Sequence, residues 1–181
     1  MSKKLTTEEF YKRLYGLFDN VTPLKKDCGI LCDGACCKEE AERTGMLLFP
    51  GEDKVLQNAD FGEIEPCNCY YGEEETKGKI FFCNFCNRSL RPLACRIFPL
   101  MPYKKEGSSL KIIMNPMAKN MCPLARSLKV SQLEPKFVKN VRRAMNNILK
   151  LRDGEDYIIM LSEIADEYIQ TQKKFMNKKS D

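Results

Sequence analysis

The sequence predicts an α+β chain: a small, loop-rich cysteine domain organised by metal, with short strands, packed against an N-terminal helix and a C-terminal helical hairpin. Three observations predict it. All ten cysteines fall between residues 28 and 122. The stretch that holds them mixes glycine-containing loops with short apolar runs. The stretches on either side carry no cysteine and repeat apolar residues at helical spacing. The chain therefore divides into an N-terminal helix (1–27), a cysteine domain (28–123), a helical hairpin (131–177) and a polar tail (178–181).

The composition sets outer bounds. A chain of 181 residues suits one domain with a helical appendage. With 43% hydrophobic and 30% charged residues it reads as globular, neither disordered nor collagen-like. Histidine and tryptophan are absent. That excludes Cys/His zinc sites and Ser-His-Asp or Cys-His catalysis. No apolar run approaches the roughly 18 residues of a membrane span. The segment from Met1 to Phe10 lacks the apolar core of a signal peptide, so a cytoplasmic location is expected. In a reducing cytosol ten cysteines read as metal ligands rather than disulfides, the competing reading being small buried hydrophobes.

The elements follow in order. Thr6 and Glu9 make a capping-box pattern, and Phe10, Leu14, Leu17, Phe18 and Val21 recur on one face, so a helix is expected over 7–19, closed by Pro23. Residues 28–46 read as a loop carrying Gly29, Gly34 and Gly45. Leu47 to Phe49 read as a short buried strand, and Pro50 to Asp53 open a short helix reaching about Asn58. Residues 60–78 read as an acidic loop. Lys79 to Phe82 read as a strand. Ile97–Tyr103 and Ser109–Asn115 read as a hairpin about Lys104–Gly107, with Pro99 and Pro102 confining the first strand to an edge. Two stripes, Val138-Val141-Met145-Ile148-Leu151 and Tyr157-Ile158-Leu161-Ile164-Ala165-Tyr168-Ile169, predict two antiparallel helices broken at Asp153-Gly154 and packed on the first helix.

The cysteines fall in two groups. The first is Cys28-x3-Cys32-x3-Cys36-Cys37. A four-residue step returns side chains to one side of a helical turn, so Cys28, Cys32 and Cys36 converge, while Cys37 points elsewhere, to a second metal or into the core. The second is Cys67-x-Cys69, Cys83-x2-Cys86, Cys95 and Cys122. A Cys-x2-Cys pair lets intervening amides turn toward the sulfurs. It is also the spacing of redox dithiols, but that use wants the motif at a helix start, and Pro92 follows closely here. Cys122-Pro123 is like the Cys-Pro ending bacterial ferredoxin ligand runs. All-thiolate ligation selects zinc, iron–sulfur or copper(I) over calcium or magnesium, and spacing leaves zinc and iron–sulfur both open.

Charge fits this reading. The formal net of +5 counts every cysteine as neutral. A zinc ion or oxidised four-iron cluster with four thiolates contributes about −2, so two such sites bring +5 to about +1. The basic excess compensates thiolates and gives no support for a nucleic-acid partner.

At these residues the chain resembles a family. Cys28-x3-Cys32-x3-Cys36-Cys37 followed by Cys86-x4-Arg91-Pro92-x2-Cys95-Arg96-x-Phe98-Pro99 is similar to the YkgJ-type cysteine-cluster proteins. The resemblance spans about residues 28–123. It implies zinc- or iron-chelating function, with Cys28, Cys32, Cys36, Cys37, Cys86, Cys95 and Cys122 at motif positions and Cys69 or Cys83 as the further cysteine. Zinc is the expected cofactor, with an iron–sulfur cluster as the alternative. A similar cysteine domain occurs in flagellin lysine N-methylases, which act with S-adenosylmethionine. That gives the alternative function of an iron–sulfur-dependent enzyme, either a redox protein or a methyltransferase with a protein substrate. No glycine-rich strand-turn-helix for adenosylmethionine accompanies it here. Arg88, Arg91 and Arg96 read as donors that hydrogen-bond carbonyls or balance thiolate charge; the sharper reading makes Arg91 and Arg96 part of an anion or substrate site.

Overall fold

The computed structural model describes residues 5–37 and 45–177, except the side chains of Cys37 and Asn177. The fold is α+β. The first helix, α1 (Thr7–Gly16), starts from the expected capping box: Glu9 N donates to Thr6 Oγ1 at 3.2 Å, and Thr6 N donates to Glu9 Oε2 at 2.9 Å. Its buried face is turned from the expected stripe. Tyr11 and Tyr15 are buried with Leu14, Phe18 and Val21, while Phe10 and Leu17 are half-buried. Both tyrosines are carried inside because their hydroxyls find acceptors there, Tyr11 at the Pro50 carbonyl and Tyr15 at Glu52.

A three-stranded antiparallel sheet follows, with the order β1 (Gly45–Leu47), β3 (Thr76–Cys83), β2 (Gly62–Tyr71). The one-turn helix α3 (Asp53–Leu56) lies between β1 and β2. The reading of residues 60–78 as a loop is therefore corrected: most of it is β2 and the start of β3. Acids and a proline hid the strand, yet β2 is an edge strand, where a missing amide donor is tolerated. Pro66 pairs with Lys79 at the start of an irregularity running to Tyr70. The turn at 72–75 is acidic and solvent-facing, as expected. Beneath this sheet Leu48, Leu56, Phe61 and Phe81 form a small core of their own.

The stretch expected to begin a strand at Ile97 instead begins with a one-turn helix, α4 (Leu93–Ile97). The hairpin β4 (Leu100–Tyr103) and β5 (Lys111–Met114) comes next, with Pro102 opposite Ile112. After α5 (Pro123–Ser127) come the two long helices, α6 (Pro135–Ile148) and α7 (Gly154–Asn177). Helix α6 packs chiefly on β4 and β5, and α7 on β4, β2 and the 3-10 turn 116–120. Tyr103 Oη donates to Asp166, and Lys104 N donates to Ser162 Oγ at 2.9 Å, fastening β4 to α7. The main core runs from α1 through α4 and the hairpin to both long helices. Phe18 meets Phe137 edge-on at 6.1 Å, and Asn140 Nδ2 donates to the Leu17 carbonyl. Among the described residues no helix is long and apolar enough to cross a membrane.

Candidate metal centre

Three separate stretches of chain bring cysteines to one cavity. The first is α2 (Cys28–Cys32), where the loop expectation gives way to a single helical turn. Asp27 caps it, accepting from Gly29 N at 3.0 Å. Cys28 and Cys32 stand one turn apart, with Cys32 Sγ 3.4 Å from the Cys28 carbonyl oxygen. The helix stops at Asp33 (φ 51°) and Gly34 (φ 65°), both left-handed. Glycine takes that conformation without Cβ strain. The chain reverses there and a 3-10 turn over Ala35–Cys37 returns Cys36 to the same wall. The expected convergence of Cys28, Cys32 and Cys36 is thus reached by a turn, not by a continuous helix.

The second stretch is the Arg-Pro block. Pro92 (φ −53°, ψ 155°) precedes α4, which carries Cys95 and Arg96. The buried Arg96 closes the bend in front of its own helix: Nε donates to the Arg91 carbonyl at 2.8 Å and Nη2 to the Ser89 carbonyl at 2.6 Å. Its guanidinium lies 4.3 Å from the centre of the Tyr15 ring. Arg88 reaches the other way and pairs with Asp27 at 2.5 Å, tying the bend to the cap of α2. That pairing and the Gly29 amide hold the Asp27 carboxyl below the usual carboxylate range. The third stretch brings Cys122, buried against Ala118 and Ala125 at the entry to α5; its amide donates to the Ala118 carbonyl at 2.7 Å.

Cys28, Cys32, Cys36, Cys95 and Cys122 line one cavity of about 60 Å³, together with Arg91 and Arg96. That is several times the ~10–15 Å³ one water needs. Cys83, at the end of β3, and Cys86 line an adjoining cavity that shares Cys36, Cys95 and Arg91 with the first. Arg91 therefore touches both. Its Nε is buried and has no hydrogen-bond partner. Burial pushes the Cys28 thiol up, reinforced by Cys32 and Asp27 and opposed by Arg91. Among the described residues no three Cys, Asp or Glu side chains stand close enough to form a ready-made ligand set.

Of the expected ligands, one stands apart from these walls and one is not described. The side chain of Cys37 lies outside the described residues. Cys69, expected as a possible ligand, is joined in a disulfide to Cys67 on β2, and neither lines the cavities. Of Cys69 and Cys83, only Cys83 reaches these walls, in the adjoining cavity.

Sequence reasoning missed Glu52. It reads as an acid in the first turn of a short helix but is fully buried. Its carboxylate accepts from Tyr15 Oη at 2.7 Å, Phe49 N at 3.0 Å and Leu93 N at 2.6 Å. Burial pushes this carboxyl up, against the pull of those three donors. It also caps the amide end of α4, so it fixes the helix on which Cys95 sits. Only the Pro-Gly turn before it marks the place, and nothing in the spacing shows that the side chain folds inward.

Comparison with family models, with curated proteins and with solved structures finds no match for this chain.

Proposed function

We propose that this chain is a metal-binding protein. It holds zinc, or in the alternative an iron–sulfur cluster, with thiolates drawn from Cys28, Cys32, Cys36, Cys95 and Cys122, and with Cys83 and Cys86 beside them. One observation carries the reading: cysteines from three separate stretches of the chain line a single cavity.

The donor set fits such a group. Sulfur is the soft ligand that zinc and iron–sulfur clusters select. A buried guanidinium nitrogen without a partner, Arg91 Nε, lies in the same walls. Thiolates gathered round a metal carry net negative charge, and such charge is stable in a protein interior only with donors of this kind. The thiols surround the space without yet closing to ligand distance, and a metal supplies the cross-link that draws them in, since a preformed site rarely exists before binding. The resemblance to the YkgJ-type cysteine-cluster family points the same way, with Cys83 rather than Cys69 as the further cysteine.

The test is elemental analysis and the visible spectrum of protein purified without oxygen. Colourless protein with stoichiometric zinc supports the zinc form. Brown protein with iron and acid-labile sulfide supports the cluster. Protein that retains neither, even after reconstitution with each, overturns the reading.

A further inference from the structure

Cys67 and Cys69 have a chemistry of their own. They form a disulfide across a single intervening residue on the edge strand β2, and neither lines the cavities of the other cysteines. Both are half-buried, so a small thiol has a path to them. Their sulfurs lie over Gly78 of the neighbouring strand. A side-chain Cβ at Gly78 would stand 2.3 Å from Cys69 Sγ and 2.7 Å from Cys67 Sγ. The pair thus occupies room that only glycine leaves open, within the stretch where the β2–β3 register shifts between Pro66 and Tyr70.

As a staple this bond accomplishes little. A disulfide stabilises a fold mainly by removing freedom from the unfolded chain, and the gain grows with the length of the loop closed. The loop closed here holds one residue between its cysteines. The parts of β2 on either side of it are already held by pairing with β3, at Pro66 and at Tyr70. What the bond does provide is a pair of sulfurs that stay together whether joined or open.

We infer that Cys67–Cys69 is a redox site, separate from the metal centre, that exchanges two electrons with a dithiol. A thiolate of the dithiol attacks one sulfur, forms a mixed disulfide and releases the other cysteine as a thiolate. The second thiol of the dithiol then attacks that mixed disulfide. The dithiol leaves as its own disulfide, and Cys67 and Cys69 are left as two thiols, having gained two electrons and two protons. The reverse path restores the bond.

The experiment uses the full chain with its metal, equilibrated in buffers of varied dithiothreitol to oxidised dithiothreitol ratio. Thiols are then trapped with iodoacetamide and the peptide holding both residues is weighed. A single two-electron transition at that peptide, with metal content unchanged across it, is expected. In Cys67→Ser and Cys69→Ser the transition disappears while metal is kept. The inference is overturned if the peptide stays doubly alkylated in fully oxidised buffer. It is equally overturned if the bond resists excess dithiol in the native protein, or if the transition persists in the serine variants. Metal loss in Cys67→Ser would return that sulfur to the metal centre and overturn it as well. Absence of metal from the parent protein would count against the metal reading alone, since the redox transition is read on the peptide.

Discussion

The Glu52 carboxylate and the Leu93 amide meet at 2.6 Å in the interior, 41 residues apart in sequence. This bond joins the turn before α3 to the helix that carries Cys95 and Arg96. The same carboxylate holds the Tyr15 hydroxyl, and the Tyr15 ring packs on Arg96. The cavity wall is thus supported from behind by an acid that lines neither cavity.

Glu52→Ala removes three acceptor contacts and leaves two amides and a hydroxyl buried. An unsatisfied buried group costs about 1–3 kcal/mol, so a loss of at least about 3 kcal/mol is expected in urea unfolding. Glu52→Gln retains one acceptor oxygen and should lose less. Equal midpoints for Glu52→Ala and the parent would show that the bonds contribute nothing.

The same residue gives a pH dependence. Burial raises its folded pKa above the ordinary 4.5, with Tyr15, Tyr11, Tyr157 and Arg96 as the titratable groups around it. The folded state then binds the proton more tightly than the unfolded state. The contribution to stability is complete below about pH 4.5 and is lost as pH rises through the folded pKa. Urea midpoints measured from pH 4.5 upward should fall more steeply for the parent than for Glu52→Gln. Parallel profiles would refute this.

Arg96→Met abolishes the two bonds that close the Arg-Pro bend, and Arg96→Lys loses the rigid fork that reaches the two carbonyls from separate nitrogens. Metal affinity is expected to fall about 10–100-fold for Met and less for Lys, read by competition with a chelator. Unchanged affinity in both would separate the bend from the metal centre.

Cys86→Ser and Cys95→Ser should each lower metal content, because a serine hydroxyl is a harder and far less acidic ligand than a thiol. Elemental analysis against the parent checks this. Full metal in Cys95→Ser would remove α4 from the site.

Arg88 and Asp27 make a short contact, but Arg88 is more than half exposed. Exposed pairs are typically worth about 0.2–1 kcal/mol. A double-mutant cycle with Arg88→Ala and Asp27→Ala should return a coupling in that range. A coupling near 3 kcal/mol would mark the pair as a structural strut.

The helices were legible because their signals are local: the Thr6–Glu9 box and the stripe Val141-Met145-Ile148 can be read without knowing what they touch. Strand β2 was not, since Pro66 and its acids are tolerated only because it lies at a sheet edge, a fact of sheet order rather than of sequence. The grouping of Cys28, Cys32 and Cys36 was legible from spacing. The inward Glu52 and the bond between Cys67 and Cys69 were not. Each depends on a partner surface (Leu93 for one, the gap at Gly78 for the other) that only the folded chain brings near.

The contact between Phe18 and Phe137 has a consequence for the order of events during synthesis. A chain emerges from the ribosome N-terminus first, at about 5–20 residues per second. Phe18, just past α1, has no Phe137 to pack on until every cysteine has already been made, and the Leu17 carbonyl waits 123 residues for Asn140. Contacts this distant in sequence form late. Each nascent chain therefore passes through an interval before both ends of the fold can close, roughly 1 to 20 seconds across the cysteines, since Cys122 precedes Phe137 by 15 residues and Cys28 by 109. Whatever reaches the sulfurs in that interval, metal or oxidant, competes for them before the finished cavity can select.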